Sequence, residues 1–417
     1  MSRLICLIYT DREIAHISDV IRSRPSTLWR ELFLRHLIAW LLAWVAIAVR
    51  LSRHRVVSLF ESRIGHYVSE LEYLSKELLL TDRYQHVGLL VPSPRSYAYS
   101  GLRSFFEPRL VFVPGLVGQM LKRVSIFRLC TVDTYGISAP VRGNPCRMYA
   151  IARDWGPARE GLGAIDADRR YVARDICGFA PRETWVYVHC REERLGFGDD
   201  QSQAFRTFDR ETMRLSIEWL SAQGYRIVLQ GFRGDKYDHV DAVHVDSLAG
   251  WSFDLQMALV AGASAFIGST SGLFHLASFF DVPCVLTNIV PADTGPLTTR
   301  DWGITKRVFD PRLGRYLSLE EMLDPETSSL VQDQVGSGLL DLVDNTGDEI
   351  LSLCKEAFGV LGSSETQRCD HVSEATVYYR SLFTPRHAAF PYNANVGSQF
   401  LVDNSEVFGG QRAAACK

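Results

Sequence analysis

Short apolar runs alternate with amphipathic helical stretches along the chain from Arg55 onward. RVVSLF predicts a strand, and YVSELEYLSKELLL, which follows it, predicts a helix because its apolar residues recur at helical spacing. HVGLLVPS predicts the next strand. Strands that alternate with helices are typical of α/β domains with mostly parallel sheets. The pattern therefore predicts an α/β domain that begins just after residue 54.

The alternation resumes more clearly after residues 166–184, a charged stretch that carries Gly and Pro. Beyond it, WVYVHCR, RIVLQGFRG, SAFIG and PCVLTN predict strands separated by helices, which indicates a second doubly wound unit. Further on, Thr346 and Glu349 have the spacing of a capping box and predict a helix start. We predict four regions: a leader over 1–54, a first α/β domain over 55–175, a second over 176–345 and a helical extension over 346–417.

The leader contains a strongly apolar segment, residues 32–51, with the sequence LFLRHLIAWLLAWVAIAVRL. Its longest stretch without ionisable side chains, residues 37–49, has 13 residues, whereas a spanning helix needs about 18 to 20. The flanks are rich in arginine, and Trp40 and Trp44 lie on one helical face. This composition suits a helix that lies in the headgroup region of an anionic membrane. A helix buried against the first domain and a true membrane span are the two alternatives.

The overall composition is that of a globular protein, and its net charge argues against one broad class of function. The chain is 47% hydrophobic and 22% charged, and its formal net charge of −3 does not suit a general nucleic-acid binder. Nine cysteines show no CxxC pair and no metal-binding spacing. Asp11, Arg12 and Glu13 interrupt any apolar signal-peptide core. We therefore expect reduced thiols and a cytoplasmic protein at the inner face of the cytoplasmic membrane.

The loop GSTSG, Gly268 to Gly272, lies between a predicted strand and a predicted helix. Such a loop offers backbone amides, hydroxyl groups and the positive end of a helix dipole, which together suit a diphosphate. His275 follows one turn into the helix. Because ligands of open α/β sheets bind outside the carboxyl ends of the strands, Arg191 and Arg233 are predicted at the same edge. The alternatives are a plain helix cap, a structural histidine and solvated arginines. The loop is neither GxxxxGK[ST] nor GxGxxG, so no P-loop or dinucleotide fingerprint is supported.

The stretch FIGSTSGLFHLASFFDVPCVLTN, followed by TGP, resembles the donor-side motif of heptosyltransferase-like glycosyltransferases of the GT-B fold. SRIGHYVSELEYL, WVYVHCREERLGFGD, NTGDEI and GSQFLVDNSEVF are similar to stretches of a bacterial family of surface-carbohydrate glycosyltransferases. The resemblance covers about Ser62 to Phe408. It departs from the pattern at Ser269, where the family often has an acidic residue.

This resemblance implies two Rossmann-like doubly wound domains that face a cleft. The sequence pattern adds an N-terminal apolar helix and a helical C-terminal tail. The expected activity is metal-independent transfer of a sugar from a nucleotide-sugar donor to a glycan or lipid-linked acceptor, in surface polysaccharide biosynthesis and without a cofactor. The N-terminal domain would hold the acceptor near Arg63, Gly65 and His66. The residues expected to bind the donor are His189, Arg191, Gly231, Arg233, Gly268, Ser269, Thr270, Ser271, Gly272, His275 and Asn288, with Thr294, Gly295 and Pro296 further along the same edge.

An inverting transferase also needs a general base for the acceptor hydroxyl. The candidates at the predicted strand ends of the first domain are Glu61, His66 and Asp133. A charge at a helix start and a structural histidine are the alternative interpretations of Glu61 and His66. Two other functions stay open: a nucleotide-sugar epimerase or hydrolase of the same fold, and a non-catalytic membrane-associated binding protein.

Overall fold

The chain forms two compact units, Met1–Ile151 and Ala152–Lys417. Both are mixed α/β structures built on parallel sheets, as the alternating pattern predicted. The computed structural model describes residues 8–23, 28–59, 64–81, 84–93, 100–106, 110–141, 144–156, 162–163, 167–191, 206–232, 237, 240–248, 250–290, 295–326, 339–362 and 372–405.

Unit 1 contains a four-stranded parallel sheet in the order β3-β2-β1-β4. The strand order reverses between β1 and β4, which makes the carboxyl ends of these two strands the switch point of the sheet. The strands are β1 His54–Ser58, β2 Gly88–Ser93, β3 Val111–Pro114 and β4 Thr131–Asp133, and the helices are α1 Asp11–Ser23, α2 Leu28–Leu41, α3 Ala43–Leu51, α4 Ile64–Leu80, α5 Ser100–Phe106, α6 Gly115–Val124 and α7 Tyr135–Ser138. Helix α8, Arg147–Trp155, contains the boundary between the two units.

Unit 2 contains a seven-stranded sheet in the order β14-β10-β9-β8-β5-β6-β7, in which every paired strand is parallel. Its first six strands have the order of a Rossmann fold, with the switch point between β5 and β8. The strands are β5 Trp185–His189, β6 Arg226–Gln230, β7 Ala242–His244, β8 Ala265–Gly268, β9 Cys284–Ile289, β10 Trp302–Thr305 and β14 Asn395–Val396.

The remaining elements of unit 2 include a small antiparallel sheet in the order β12-β11-β13, which the sequence pattern did not predict. Its strands are β11 Arg307–Asp310, β12 Arg315–Tyr316 and β13 Asp341–Val343. The helices are α9 Ala167–Ile176, α10 Arg214–Ala222, α11 Phe253–Ala261, α12 Gly272–Phe279, α13 Leu319–Leu323, α14 Gly347–Leu361, α15 Glu374–Ser381 and α16 Ser398–Asp403, with 3-10 turns at Arg210–Met213 and Val245–Ser247.

The unit boundary and the C-terminal region differ from the sequence-based division. We predicted a boundary after residue 175, but α9 packs against α11 and therefore belongs to unit 2. The residues beyond 346 also belong to unit 2, because β14 pairs with β10 through Asn395 and Trp302. The capping box predicted at the start of α14 is present, with Thr346 and Glu349 each satisfying a backbone amide of the other.

The leader is part of unit 1. Ala39 of α2 and Ala46 and Val49 of α3 lie in one buried cluster with Val56 of β1 and Leu121 of α6. The small alanine side chains let both helices approach α6 closely. No single helix in the described part of the chain is long and apolar enough to cross a membrane; α2 and α3 meet that length and composition only as a pair, bent by 49°.

A buried histidine lies in the C-terminal part of unit 2. His387 is 1% exposed and packs edge-on against Phe383, which stacks on Tyr392. Its Nδ1 accepts a hydrogen bond of 3.0 Å from the amide of Ala389. Burial lowers the pKa of His387 from 6.5 to about 4, against an opposing effect of Asp324. The imidazole is therefore neutral in the folded protein at neutral pH.

We expect His387 to make the protein less stable as the pH falls from about 6.5 toward 4. The unfolded chain protonates this histidine near its ordinary pKa while the folded chain does not, so folding stability decreases with acidification over this window. From pH 7 to pH 5 the effect is about 2 kcal/mol. Urea unfolding at the two pH values tests it. The His387→Asn variant, which keeps an acceptor near Nδ1, should lose less stability than the parent over this range; an equal loss contradicts the prediction.

Candidate functional site

The carboxyl ends of β5 and β8 lie side by side at the switch point of unit 2. His189 at the end of β5 pairs in register with Gly268 at the end of β8, and α12 begins four residues later at Gly272. In open α/β sheets this is the position at which ligands bind. We call the ends of β5 and β8, together with the first turn of α12, the switch-point edge.

Two glycines allow the neighbouring loops to approach the end of β5. Gly231 has φ +83°, and a Cβ there would lie 1.8 Å from the carbonyl oxygen of Cys190. A Cβ on Gly268 would lie 2.5 Å from the carbonyl oxygen of His189. The amide of Gly231 donates to the carboxylate of Asp246 over 2.8 Å. Both glycines are thus required by close backbone packing, and the Gly231 amide is engaged inside the protein.

Ser271 both caps α12 and contacts the end of β5. Its hydroxyl accepts a hydrogen bond of 3.3 Å from the amide of Phe274 and lies 3.3 Å from Nδ1 of His189. By helix geometry, the amides of Gly272 and Leu273 have no intrahelical acceptor. The cap and the anion-binding interpretation of this loop are therefore compatible, since the helix start retains donors and a partial positive charge.

Arg191 brings a positive charge to the switch-point edge, and the carboxylate of Asp246 faces the Gly231 amide on the neighbouring loop. Burial, and then the charge of Arg191, lower the pKa of His189 from 6.5 to about 4, so this imidazole is neutral at neutral pH. Arg191 follows the last residue of β5 by two positions and is half-buried. A cation and a helix N-terminus at one sheet edge favour an anionic ligand.

Other predicted donor residues are buried to different degrees. Ser269 is fully buried, and its hydroxyl has no hydrogen-bond partner among the described residues. Thr270 is buried, whereas His275 is half-buried beside the Phe274 ring. Gly295 and Pro296, further along the edge, are buried. Arg233 and Thr294 lie outside the described residues.

Asn288 is engaged inside the protein, in contrast to its predicted donor role. It is fully buried with φ +53°, its amide donates to Oδ1 of Asn345 over 2.6 Å, and its Oδ1 accepts from the Asn345 amide over 2.8 Å. Asn345 also donates to the carbonyl of Thr305. This reciprocal pair fixes the end of β9 to the segment before α14, because buried amide groups require such partners.

Unit 1 has a cluster of polar side chains at its own switch point. Glu70 is fully buried, and its Oε2 lies 2.6 Å from Nη2 of Arg12. Its Oε1 lies 3.1 Å from the Ser138 hydroxyl and 3.5 Å from Nδ1 of His66, and Thr134 contacts Oε2. Burial raises the pKa of Glu70, but the charge of Arg12 and these hydrogen bonds outweigh it and leave the pKa below its ordinary value. Glu70 is therefore a carboxylate in the fold.

His66 is held by this carboxylate and remains accessible. It lies four residues before Glu70 on α4, and 37% of its side chain is exposed. Nδ1 of His66 lies 3.2 Å from the Ser138 hydroxyl and 3.5 Å from the carboxylate, and an accessible imidazole oriented in this way has the arrangement of a general base. His66 alone among the predicted bases has this arrangement in the described part of the chain.

Asp133 and Gly65, the other predicted residues of unit 1 that the structure describes, do not join this arrangement. Asp133 accepts hydrogen bonds from the amides of Tyr135 and Arg12, over 3.0 and 3.2 Å, and so stabilises the turn after β4. Gly65 is buried in the first turn of α4. Glu61 and Arg63 lie outside the described residues.

Sequence reasoning missed three charged residues near the carboxyl ends of the two sheets: the buried Glu70 and Lys306, and the partly buried Arg12. Glu70 could have been found from its i,i+4 spacing to His66. Arg12 could not, because it lies in the leader that we separated from the first domain. Lys306, buried directly after β10, contacts Asp344 over 2.7 Å and the Thr207 carbonyl over 2.6 Å, and its place in a run of mixed polarity gives no local signal.

Comparison with known proteins finds only distant structural likeness. No protein-family model matches the chain, and no curated protein matches it. It is similar to the ADP-heptose LPS heptosyltransferase II of E. coli, with 14% identity, 69% of this chain and 98% of that chain covered, and a TM-score of 0.40. It is also similar to a family 9 glycosyl transferase from Veillonella parvula, with 12% identity, 56% and 80% covered, and a TM-score of 0.35. A third, the iron-containing glycosyltransferase TibC from E. coli, has 17% identity, 56% and 57% covered, and a TM-score of 0.34. Such values are too low to transfer an activity or a residue role to this chain.

The close packing at the end of β5 predicts a specific response to mutation. Gly231→Ala should destabilise unit 2 by more than about 2 kcal/mol, because a Cβ would clash with a backbone carbonyl as well as strain a positive φ. Gly224→Ala is the matched control: Gly224 has φ +89° but no atom within 4 Å of its Cβ position. Denaturant unfolding should give a clearly larger loss for Gly231→Ala. Equal losses would show that the backbone conformation, and not the close approach, determines the requirement for glycine.

Proposed function

We propose that the protein is a glycosyltransferase that uses a nucleotide-sugar donor. In this proposal unit 2 binds the donor diphosphate at the switch-point edge, and unit 1 activates the acceptor hydroxyl, as in transferases of the GT-B type. The observation that carries the proposal is the occurrence in one chain of an arginine and a helix N-terminus at the switch point of unit 2 and a histidine–carboxylate pair at the switch point of unit 1. The acceptor that we propose is a glycan or lipid-linked sugar of a surface polysaccharide.

Arg191 and the start of α12 are the groups that we assign to the diphosphate. In sugar transfer, negative charge develops on the leaving phosphate, so donors and cations fixed before the reaction lower the barrier directly. The amides of Gly272 and Leu273, the Ser271 hydroxyl and the Arg191 guanidinium are at this edge. We assign the half-buried His275 to the same binding site, one turn further along α12.

His66 is the group that we assign to the acceptor. Its imidazole would take the proton of the acceptor hydroxyl while the acceptor oxygen attacks the anomeric carbon. The bond from that carbon to the donor phosphate breaks, and the nucleoside diphosphate leaves with the electron pair. The resulting imidazolium is stabilised by the Glu70 carboxylate, whose Oε1 lies 3.5 Å from Nδ1 of His66. Glu70 thus acts as a positioning residue.

We propose that this transfer needs no metal ion and no cofactor. Arg191 and the positive end of α12 supply charge where a divalent cation would otherwise neutralise the diphosphate. The nucleotide sugar is a substrate that supplies the transferred group and the leaving group.

Arg191→Ala should weaken nucleoside diphosphate binding at least about tenfold, which corresponds to about 1.4 kcal/mol. The reason is the loss of a charge-assisted contact at the phosphates. Titration calorimetry with ADP, GDP and UDP measures the affinity, and thermal shift identifies which base binds. Arg386→Ala is the control, because Arg386 is an exposed arginine of the same unit that is paired with Glu326. Parent-like binding by Arg191→Ala would contradict the assignment of the phosphate site.

His66→Ala should leave the affinity for the diphosphate unchanged and lower the turnover of the donor on the order of 10²-fold or more. Glu70→Gln keeps the size of the side chain but removes its charge, and should lower kcat more than it raises KM. Release of nucleoside diphosphate from the bound nucleotide sugar, with and without acceptor glycans, measures turnover. The same assay with EDTA tests metal independence, since a metal-dependent transfer would stop.

The outcome without acceptor separates the alternatives. Donor conversion without acceptor would indicate an epimerase or hydrolase, and diphosphate binding with no turnover under any acceptor would indicate a binding protein. A His66→Ala variant that turns over like the parent would remove His66 from the mechanism.

A further inference from the structure

The leader helices α2 and α3 each have one buried side and one strongly apolar exposed side. Ala39, Ala46 and Val49 lie in the core of unit 1, as described above. On the other side, Leu41, Trp44 and Leu51 are 67%, 64% and 77% exposed. Exposed apolar patches of this size mark interaction sites. We call the exposed side the apolar face, which consists of Phe33, Leu34, Leu37, Trp40, Leu41, Trp44, Ile47 and Leu51.

Basic residues outnumber acidic ones along α2 and α3, in which Glu31 is the single acidic residue. Residues 32–59 contain four arginines and neither aspartate nor glutamate, in a chain whose net charge is −3. Arg50 and Arg53 are exposed at the end of α3. Lys122 and Arg123 are exposed on α6, which packs against both leader helices and lies in a segment, 110–132, that also has no acidic residue. A cationic margin around an apolar face is complementary to an anionic lipid surface.

The packing of the leader argues against a membrane span. The inner sides of α2 and α3 contribute to the core over the whole length from Leu32 to Val49, and the helix pair is bent by 49° between them. A span would have to remove Ala39 and Ala46 from this core. In addition, Arg35 in the middle of α2 pairs with the buried Glu13 of α1 over 2.5 Å, which ties the helix to the rest of unit 1.

The charge pattern also argues against a second copy of the chain as the occupant. A symmetric dimer through this face would bring the same surface of both copies together, and with it cations against cations. A lipid surface has no such cost. The two exposed tryptophans, Trp40 and Trp44, are typical of side chains that lie at the level of lipid headgroups.

We propose that the apolar face is a monotopic membrane-binding surface, which inserts in the plane of an anionic bilayer while the inner sides of α2 and α3 stay in the core of unit 1. This binding is independent of the sugar-transfer activity proposed above. In this proposal α2 and α3 have two roles: their inner sides form part of the core of unit 1, and their exposed sides anchor the protein to the membrane.

The test is sedimentation of the full chain with vesicles of phosphatidylcholine alone and with added phosphatidylglycerol. The parent should bind the anionic vesicles and release as salt rises. Trp44→Ser/Ile47→Ser should bind at least about tenfold more weakly, with an unchanged circular dichroism spectrum, because both side chains are exposed. Trp251→Ser is the matched control, since Trp251 is an exposed tryptophan of unit 2.

Three further measurements test the cationic margin and the two other occupants, a second copy of the chain and a membrane span. Arg50→Gln/Arg53→Gln should reduce the preference for anionic over neutral vesicles, as the cationic margin requires. Light scattering after size exclusion measures the oligomeric state: a dimer that Trp44→Ser/Ile47→Ser dissociates, with no vesicle binding, would overturn the proposal. Protein that stays in cell membranes after alkaline carbonate extraction would overturn it in favour of a span. Vesicle binding that is the same for parent and Trp44→Ser/Ile47→Ser would overturn it as well.

Discussion

The close approach of backbone at the end of β5 is the constraint on which the switch-point edge depends. The carbonyls of His189 and Cys190 leave no room for a Cβ on Gly268 or Gly231. Because those glycines begin the loops after β8 and β6, the loops come within contact distance of the central strand. Ser271 then reaches His189, and α12 points its N-terminus at the strand end. The backbone geometry of this edge, on which the proposed anion site depends, therefore follows from steric packing.

In unit 1 the corresponding constraint is electrostatic. A buried carboxylate such as Glu70 is tolerated only with a cation and hydrogen bonds around it, and Arg12 and Thr134 supply them. Such a pair is weak evidence for stability, since two charges lose their hydration, but it fixes geometry strictly. Arg12 comes from the segment before the leader helices, so the position of His66 depends on the leader being folded onto unit 1. The leader thus contributes to the candidate site of unit 1 at His66 as well as to the hydrophobic core of that unit.

The strand and helix alternation could be predicted because it depends on local periodicity, and both parallel sheets followed from it. The capping box at Thr346 could be predicted for the same reason, since its two partners lie three residues apart. The extent of the two units could not be predicted from the sequence, because it depends on long-range contacts such as the pairing of β14 with β10. The candidate loops were found because they follow the predicted strand ends. Their sequence does not show which of their polar groups are already hydrogen-bonded within the protein. Asn288 is hydrogen-bonded to Asn345, 57 residues further along the chain, and no local sequence pattern predicts that pairing.

Ser269 departs from the donor-side motif, and the surroundings of its side chain give a physical reason for the departure. The resemblance leads one to expect an acidic residue in this loop, and its absence would matter if the side chain reached the donor. In the fold the side chain at 269 is fully buried, without a hydrogen-bond partner among the described residues. A carboxylate at this position would lose its hydration without compensation, a far greater cost than that of a buried hydroxyl. The serine therefore fits the fold that surrounds it, and the proposed binding of an anion at this edge relies on the backbone of α12 and on Arg191 rather than on the side chain at this position.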